Sequence, residues 1–396
     1  MTCPDWVRDL NLWSDKTMHQ DPYARYAELR RQCPVAWSEQ NGGHWFVTRY
    51  ADIVRILQDP ETFSSITQTV PPFEDPLGTR IPGEVDGAEH TSYRRAVLGP
   101  FSPGGLAPLE PAARAAMAKL LDQVEPPEFE FVRGVAIPYV FDCAMHLFGI
   151  EPQDHALVRE LESGGLRKDP HNRGLTEQLA AFIEGLVTAR RENPREQPQD
   201  VLDHLAIAQW NGQRLLTLDE TVRLAVFLLK AGLHTTMNAL GNCMVFLSEH
   251  LDVRDLLVAR PELTGEVLEE LMRWESILVV TRTATRDVEV AGVKMRAGDR
   301  MMLLTGSAGR DDSEFDDPDS VDFGRANVRH LMFGTGPHHC MGRHLARLEL
   351  RVALEEIHKR IPTYRADPDR PARRYTAMSR GARELHLLID HNIASR

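Results

Sequence analysis

Apolar residues along this chain recur mostly at helical spacing, and alternate at strand spacing only in short runs. The segment "DPYARYAELRRQCPV" sets Tyr23, Tyr26 and Leu29 on one helical face. "HWFVTRY" (44–50) and "VEVAGVKM" (288–295) have the character of short strands, the second carrying a glycine turn. "MGRHLARLELRVALEEIHKRI", directly after Cys340, repeats Leu345, Leu348, Val352 and Ile357 along one helix face. The longest helix is predicted to begin at Thr217: Glu220 completes a capping-box signature, and no proline follows until Pro261. Extended to about His250, it spans roughly 50 Å at ~1.5 Å per residue, enough to cross the molecule. The pattern predicts a mainly α fold with a minor β region.

That long helix has a weak centre. In "KAGLHTT" (230–236), Ala231 and Gly232 leave a thin point, and Thr235 and Thr236 are poor helix-interior residues. A local cost in a central helix suggests that something large packs there. Taken alone, Gly232 is better suited to a close helix–helix contact.

Composition narrows the classes. The Pro/Gly-rich stretches at 71–87, 162–174, 192–200 and 367–374 are short enough to be loops, so residues 1–396 are expected to form a single domain. An apolar fraction of 42% with 26% charged residues is ordinary for a soluble globular protein. The first residues lack the apolar core of a secretory signal, and "LAVFLLKAGL" is too short to span a bilayer and contains Lys230. A cytoplasmic monomer with no membrane partner is the expectation. Five scattered cysteines without a CxxC argue against a disulfide framework and a zinc knuckle. A net charge of −12 disfavours nucleic acid as a partner.

The candidate chemistry centres on "FGTGPHHCMG" (333–342). Cys340 precedes the amphipathic helix, where free N–H groups and the macrodipole stabilise a thiolate. Gly334, Gly336 and Gly342 permit tight turns and close approach to a flat ligand. Such a thiolate is a candidate nucleophile or metal ligand. A zinc site from His338, His339 and Cys340 fails on geometry, because adjacent residues rarely converge on one tetrahedral ion. A cysteine-protease reading lacks an identifiable base.

The same stretch resembles, at Phe333, Gly334, Gly336, His338, Cys340, Gly342 and Ala346, the haem-binding loop of the cytochrome P450 haem-thiolate monooxygenases. "EELMR" holds the family's ExxR pair as Glu270 and Arg273, and "AGLHTT" (231–236) is similar to its distal-helix motif. "EHTSYRR" (89–95) resembles its His-x-x-x-Arg element, and "GRDDSEFDDPDSVDFGR" (309–325) its meander. The resemblance spans essentially the whole chain and implies the P450 fold with haem b, Cys340 as the metal's axial ligand and O₂ as co-substrate. It implies that His90, Arg94, Arg282 and His338 hold the haem propionates, with Phe333 packing beside the ligand. Ala231, Gly232 and Thr235 would line the distal side, Thr235 helping to deliver protons. His234 stands where relatives carry Asp or Glu, and is expected to relay protons in its place. Glu270 and Arg273 would form a buried structural pair, with Ser320 at the position of the usual meander arginine, leaving the third partner open.

Lys230 falls where relatives place an apolar residue touching substrate, so a substrate carboxylate or phenolate is its expected partner. The alternative is a packed stem with the ammonium on an internal acid or water. Substrate contacts are expected at Thr67, Val70, Phe73, Phe227, Ile277, Leu278, Val280 and Met378, and in the 162–175 loop, around a small, mostly hydrophobic molecule. No flavin or iron–sulfur motif is present, so the resemblance implies electrons from NAD(P)H through an external ferredoxin reductase and ferredoxin. The ferredoxin would dock near Arg343, His344 and Arg347. Rival chemistries are peroxide-driven or radical-coupling oxidation, and a non-catalytic haem carrier or sensor.

Overall fold

The computed structural model describes residues 3–66, 69–162, 170–326 and 328–389. The helices that build the site are α1 (Tyr23–Gln32), α2 (Gly87–Val97), α3 (Leu109–Leu121), α4 (Ile137–Phe148) and α5 (His155–Glu162). They continue with α6 (Pro170–Glu192), α7 (Leu218–Glu249), α8 (Thr264–Trp274) and α9 (Arg343–Arg360). The predicted capping box starts α7: Thr217 Oγ1 accepts from the Glu220 N–H at 3.1 Å, and Glu220 accepts from the Thr217 N–H at 2.7 Å. The helix runs unbroken to Glu249, and most of its second half is buried. It packs against α4, α6 and α9 through the main apolar core, while α3 braces α4 and α9 from outside.

The minor sheet contains β1 (Val35–Ser38), β2 (His44–Val47), β3 (Phe63–Ser64), β4 (Val279–Ala284) and β7 (Arg300–Leu304), a separate hairpin of two strands, β5 (Val288–Val290) and β6 (Val293–Met295), lying between β4 and β7 in the chain. Strand order in the five-stranded sheet is β1-β2-β7-β4-β3, antiparallel except for the β2–β7 pair. The hairpin β5 (Val288–Val290) and β6 (Val293–Met295) turns at Ala291 and Gly292, both at positive φ (49° and 81°), as a tight primed turn requires. Within β4, pleating sends Val280 and Arg282 to the same face, so one strand supplies both an apolar wall and a cation.

The Glu270–Arg273 pair is buried at the α8 end, with Nη2–Oε1 at 2.7 Å and Nε–Oε2 at 2.8 Å. Arg273 also donates to the carbonyls of Gly309, Pro318 and Ser320. Ser320 therefore contributes its carbonyl, and the third charged partner is Arg325, whose Nε lies 3.3 Å from Glu270 Oε1. The meander arginine is present after all, displaced five residues along the chain from Ser320.

The cysteines differ from expectation in one respect: Cys3 and Cys33 form a disulfide, their Cα atoms 5.1 Å apart. It pins the N-terminal segment to the end of α1, and spacing gave no sign of it because thirty residues separate the partners. Cys143, Cys243 and Cys340 are free. No helix among the described residues is long and apolar enough to cross a membrane.

Candidate active site

A cavity of about 390 Å³ opens between α7 and α9. Phe227, Ala231, Gly232, Thr235 and Ala239 of α7 line one wall; Cys340, Gly342, Leu345 and Ala346 line the opposite one. Val140, Ala144, Leu147 and Phe148 of α4 form one side, and Ile277, Leu278, Val280 and Arg282 another. A Cβ added at Gly232 would meet nothing within 4 Å. The glycine thus makes no close helix–helix contact; it bares the helix to the cavity, which suits a flat occupant.

On the α9 wall the loop is held by its own backbone. The Cys340 N–H donates to the Phe333 carbonyl at 2.9 Å, and His339 N–H to Gly336 at 3.0 Å. Gly334 and Gly336 sit at φ 64° and 73°, and at Gly336 a Cβ would collide with the Leu57 carbonyl. Gly342 has an ordinary φ, and a Cβ there would sit in ordinary contact with the Cys340 sulfur, at 3.9 Å. Phe333 is buried beside the loop under the Arg347 guanidinium, 4.5 Å from its ring centre. Burial pushes the Cys340 thiol up, while the Gly342 N–H and the charges of Arg94, Arg343 and Arg347 only partly pull it back. The Gly342 N–H thus favours the thiolate, as the sequence leads one to expect, but burial outweighs it. A metal ion bonded to sulfur removes the thiol proton outright.

At one edge of the cavity the structure brings His90, Arg94, Arg282 and His338 together. The i,i+4 spacing puts His90 and Arg94 on one face of α2, and the His90 and His338 ring centres lie 3.8 Å apart with their planes tilted by 31°. Every member is pushed toward its neutral form, chiefly by burial: His90 to about 3, Arg282 to about 10, and His338 and Arg94 downward. Asp86 is the carboxylate found here, accepting from His338 Nε2 at 2.9 Å, from Ser64 Oγ and from the Ser65 N–H. Sequence reading passed over Asp86, although it stands one turn before His90 as the N-cap of α2. Four crowded basic groups facing a cavity are poised for further anions. One thiol, walls of small and apolar residues, and a basic edge together fit an iron porphyrin with two propionates.

On the distal side, Thr235 Oγ1 donates to the Ala231 carbonyl at 2.8 Å. His234 turns away from the cavity wall toward α5, with Nε2 at 3.4 Å from Glu162 Oε1. Lys230 does not line the cavity: its ammonium donates to Thr176 Oγ1 of α6 at 2.8 Å, so helix phase carries it past the pocket. Of the residues expected to touch substrate, Phe227, Ile277, Leu278 and Val280 line the cavity. Val70 and Met378 pack instead into the N-terminal apolar cluster, and Phe73 is partly exposed. Thr67 lies outside the described residues, as do residues 163–169 of the expected 162–175 loop; residues 170–175 begin α6. Glu349 of α9 lines the cavity near Thr236 and is buried, and burial raises it to about 8. No sequence motif singled it out.

A family model described as Cytochrome P450 matches residues 168–361. The probable cytochrome P450 127A1 of Sinorhizobium fredii is 33% identical over 381 residues, covering 91% of this chain and 89% of that protein. Linalool 8-monooxygenase of Pseudomonas putida is 30% identical over 375 residues, covering 88% and 91%. Among solved structures, the open cytochrome P450 EryK from S. erythraea has a TM-score of 0.86 at 30% identity, over 97% of this chain and 98% of that one. A likeness of this extent, added to a cavity shaped and charged for haem, establishes that the chain belongs to the cytochrome P450 family of monooxygenases.

Proposed function

We propose that this P450 oxidises a small, hydrophobic, uncharged organic substrate, with Cys340 as the proximal haem ligand. The observation that carries this reading is the cavity itself, with a half-buried thiol on one wall, four basic groups at one edge and Thr235 opposite. Haem iron with a thiolate ligand supplies the activation of O₂. His90, Arg94, Arg282 and His338 hold the propionates, which restore to that edge the negative charge its burial calls for. The bond from the Cys340 N–H to the Phe333 carbonyl fixes the backbone that presents the sulfur to the cavity.

Thr235 holds a proton at Oγ1 on the distal wall. Its bond to the Ala231 carbonyl keeps that hydroxyl at the helix surface, one rotation from donating into the cavity. His234 passes protons to this region from solvent, an imidazole serving where a carboxylate is usual. Phe227, Ala231, Ile277, Leu278 and Val280 exclude water and orient an apolar substrate. With Lys230 committed to Thr176, this wall offers no cation for a substrate anion, which supports an uncharged molecule.

Electrons come from NAD(P)H through a ferredoxin reductase and an acidic ferredoxin docking on the Cys340 side. Arg343 and His344 support that assignment; Arg347 there is held by Glu269 at 2.5 and 2.8 Å, and Arg351 by Glu110 at 2.7 Å. The test is the carbon monoxide spectrum of the reduced protein. A strongly red-shifted Soret band in the wild type, lost in Cys340→Ser, is expected. An unshifted band in wild-type protein that has bound haem overturns the assignment.

A further inference from the structure

Away from the basic edge, α5, α6 and α7 meet in a small charged cluster. Glu162 closes α5 and is only 9% exposed. Its Oε1 lies 3.4 Å from His234 Nε2 and accepts no hydrogen bond among the described residues. Lys230, one turn before His234 on α7, reaches Thr176 of α6. Burial pushes Glu162 up, against the favourable charges of His234 and Lys230; Lys230 is pushed down by burial, against Asp75 and Glu162. A buried carboxylate oxygen is costly to keep unless a cation partners it. The side chain aimed at this one is the imidazole at the position where the family carries its acid.

We propose that Glu162 is the positioning residue for His234. It supplies, from α5, the carboxylate that α7 lacks at position 234, and holds the imidazole in place for proton transfer toward Thr235. One contact thereby joins two functions: the proton path is complete only while the end of α5 sits against α7. The inference rests on the distal role proposed for His234, and the test separates the two.

The experiment uses haem-loaded wild type, Glu162→Gln, Glu162→Asp, His234→Asn and the double variant E162Q/H234N. Amide hydrogen exchange in α5 reads the contact without turnover. Each single substitution is expected to speed it about two- to fivefold, as loss of a half-exposed ion pair should, with the double variant no faster. Unchanged exchange in both singles overturns the contact and the proposal.

Hydrogen peroxide released per NADH oxidised, with a surrogate ferredoxin and reductase and no added substrate, reads proton delivery. Dioxygen leaves as peroxide after two electrons and two protons, and as two waters after four of each, so starved delivery raises the peroxide yield. E162Q is expected to match H234N, the double variant to go no higher, and E162D to recover part of the loss. A wild-type yield in E162Q beside a raised yield in H234N overturns the role of Glu162 and leaves that of His234. A wild-type yield in H234N overturns the reading of His234, and this one with it.

Discussion

Arg325 Nε stands 3.3 Å from Glu270 Oε1, and the Asp322 N–H donates to the same oxygen at 2.9 Å. The meander is thus tied to α8 by a charge and by its backbone, and the loop bearing Cys340 follows directly. Glu270 and Arg273 are both fully buried, so removing either strands an unpaired charge. Glu270→Ala is expected to cost about 3–5 kcal/mol. Arg325→Ala loses its bond to Glu270 and its 2.7 Å bond to the Asp316 carbonyl, beside a pair that survives, and should cost about 1.5–3 kcal/mol. Thermal unfolding of the haem-loaded variants checks both; equal losses would show that Arg325 belongs to the core of the clamp.

Gly336 combines a φ of 73° with a backbone neighbour, Leu57 O, in the space a Cβ needs. Gly336→Ala is expected to displace the cysteine loop and sharply lower the fraction of protein that retains haem after purification. Gly334→Ala carries the unusual φ without the collision and should lose less. Haem absorbance per protein, measured for both, tests the ranking.

Glu349 sets a pH dependence whose sign is definite. Its folded value is raised from 4.5 to about 8 by burial. Below 4.5 the carboxyl is neutral in both states. Between 4.5 and about 8 the unfolded chain gives up the proton while the folded one keeps it, so stability falls as pH rises through that window. Glu349→Gln removes this slope. Its melting temperature should gain on the wild type from pH 5 to about pH 8 and hold a constant lead above. A constant difference at every pH would show that Glu349 does not titrate there.

Lys230 bonds Thr176 and leaves the apolar wall without a charge. Decanoic acid and methyl decanoate are therefore expected to shift the ferric spin state with similar affinity, or the ester more tightly. Lys230→Leu should change neither by more than about twofold, an effect on the scale of an exposed contact. A tight acid-only shift, lost in the variant, would show the lysine swinging into the pocket and the substrate to be an anion.

The sequence by itself determined the features that are local in the chain. The capping box at Thr217, the length of α7, the His90–Arg94 face of α2 and the cysteine loop ahead of α9 follow from spacings of three or four residues and from glycine geometry. Such features obey helix periodicity and capping, which neighbours in sequence set. Tertiary structure decided where long side chains ended. Arg325 reaches Glu270 across fifty-five residues, His234 meets Glu162 across seventy-two, and Asp86 holds His338 across 252. Lys230, given to substrate by alignment, is turned to α6 by the phase of a helix whose neighbours the sequence does not specify. A partner so distant is fixed by how helices pack, and no pattern within one helix carries that information.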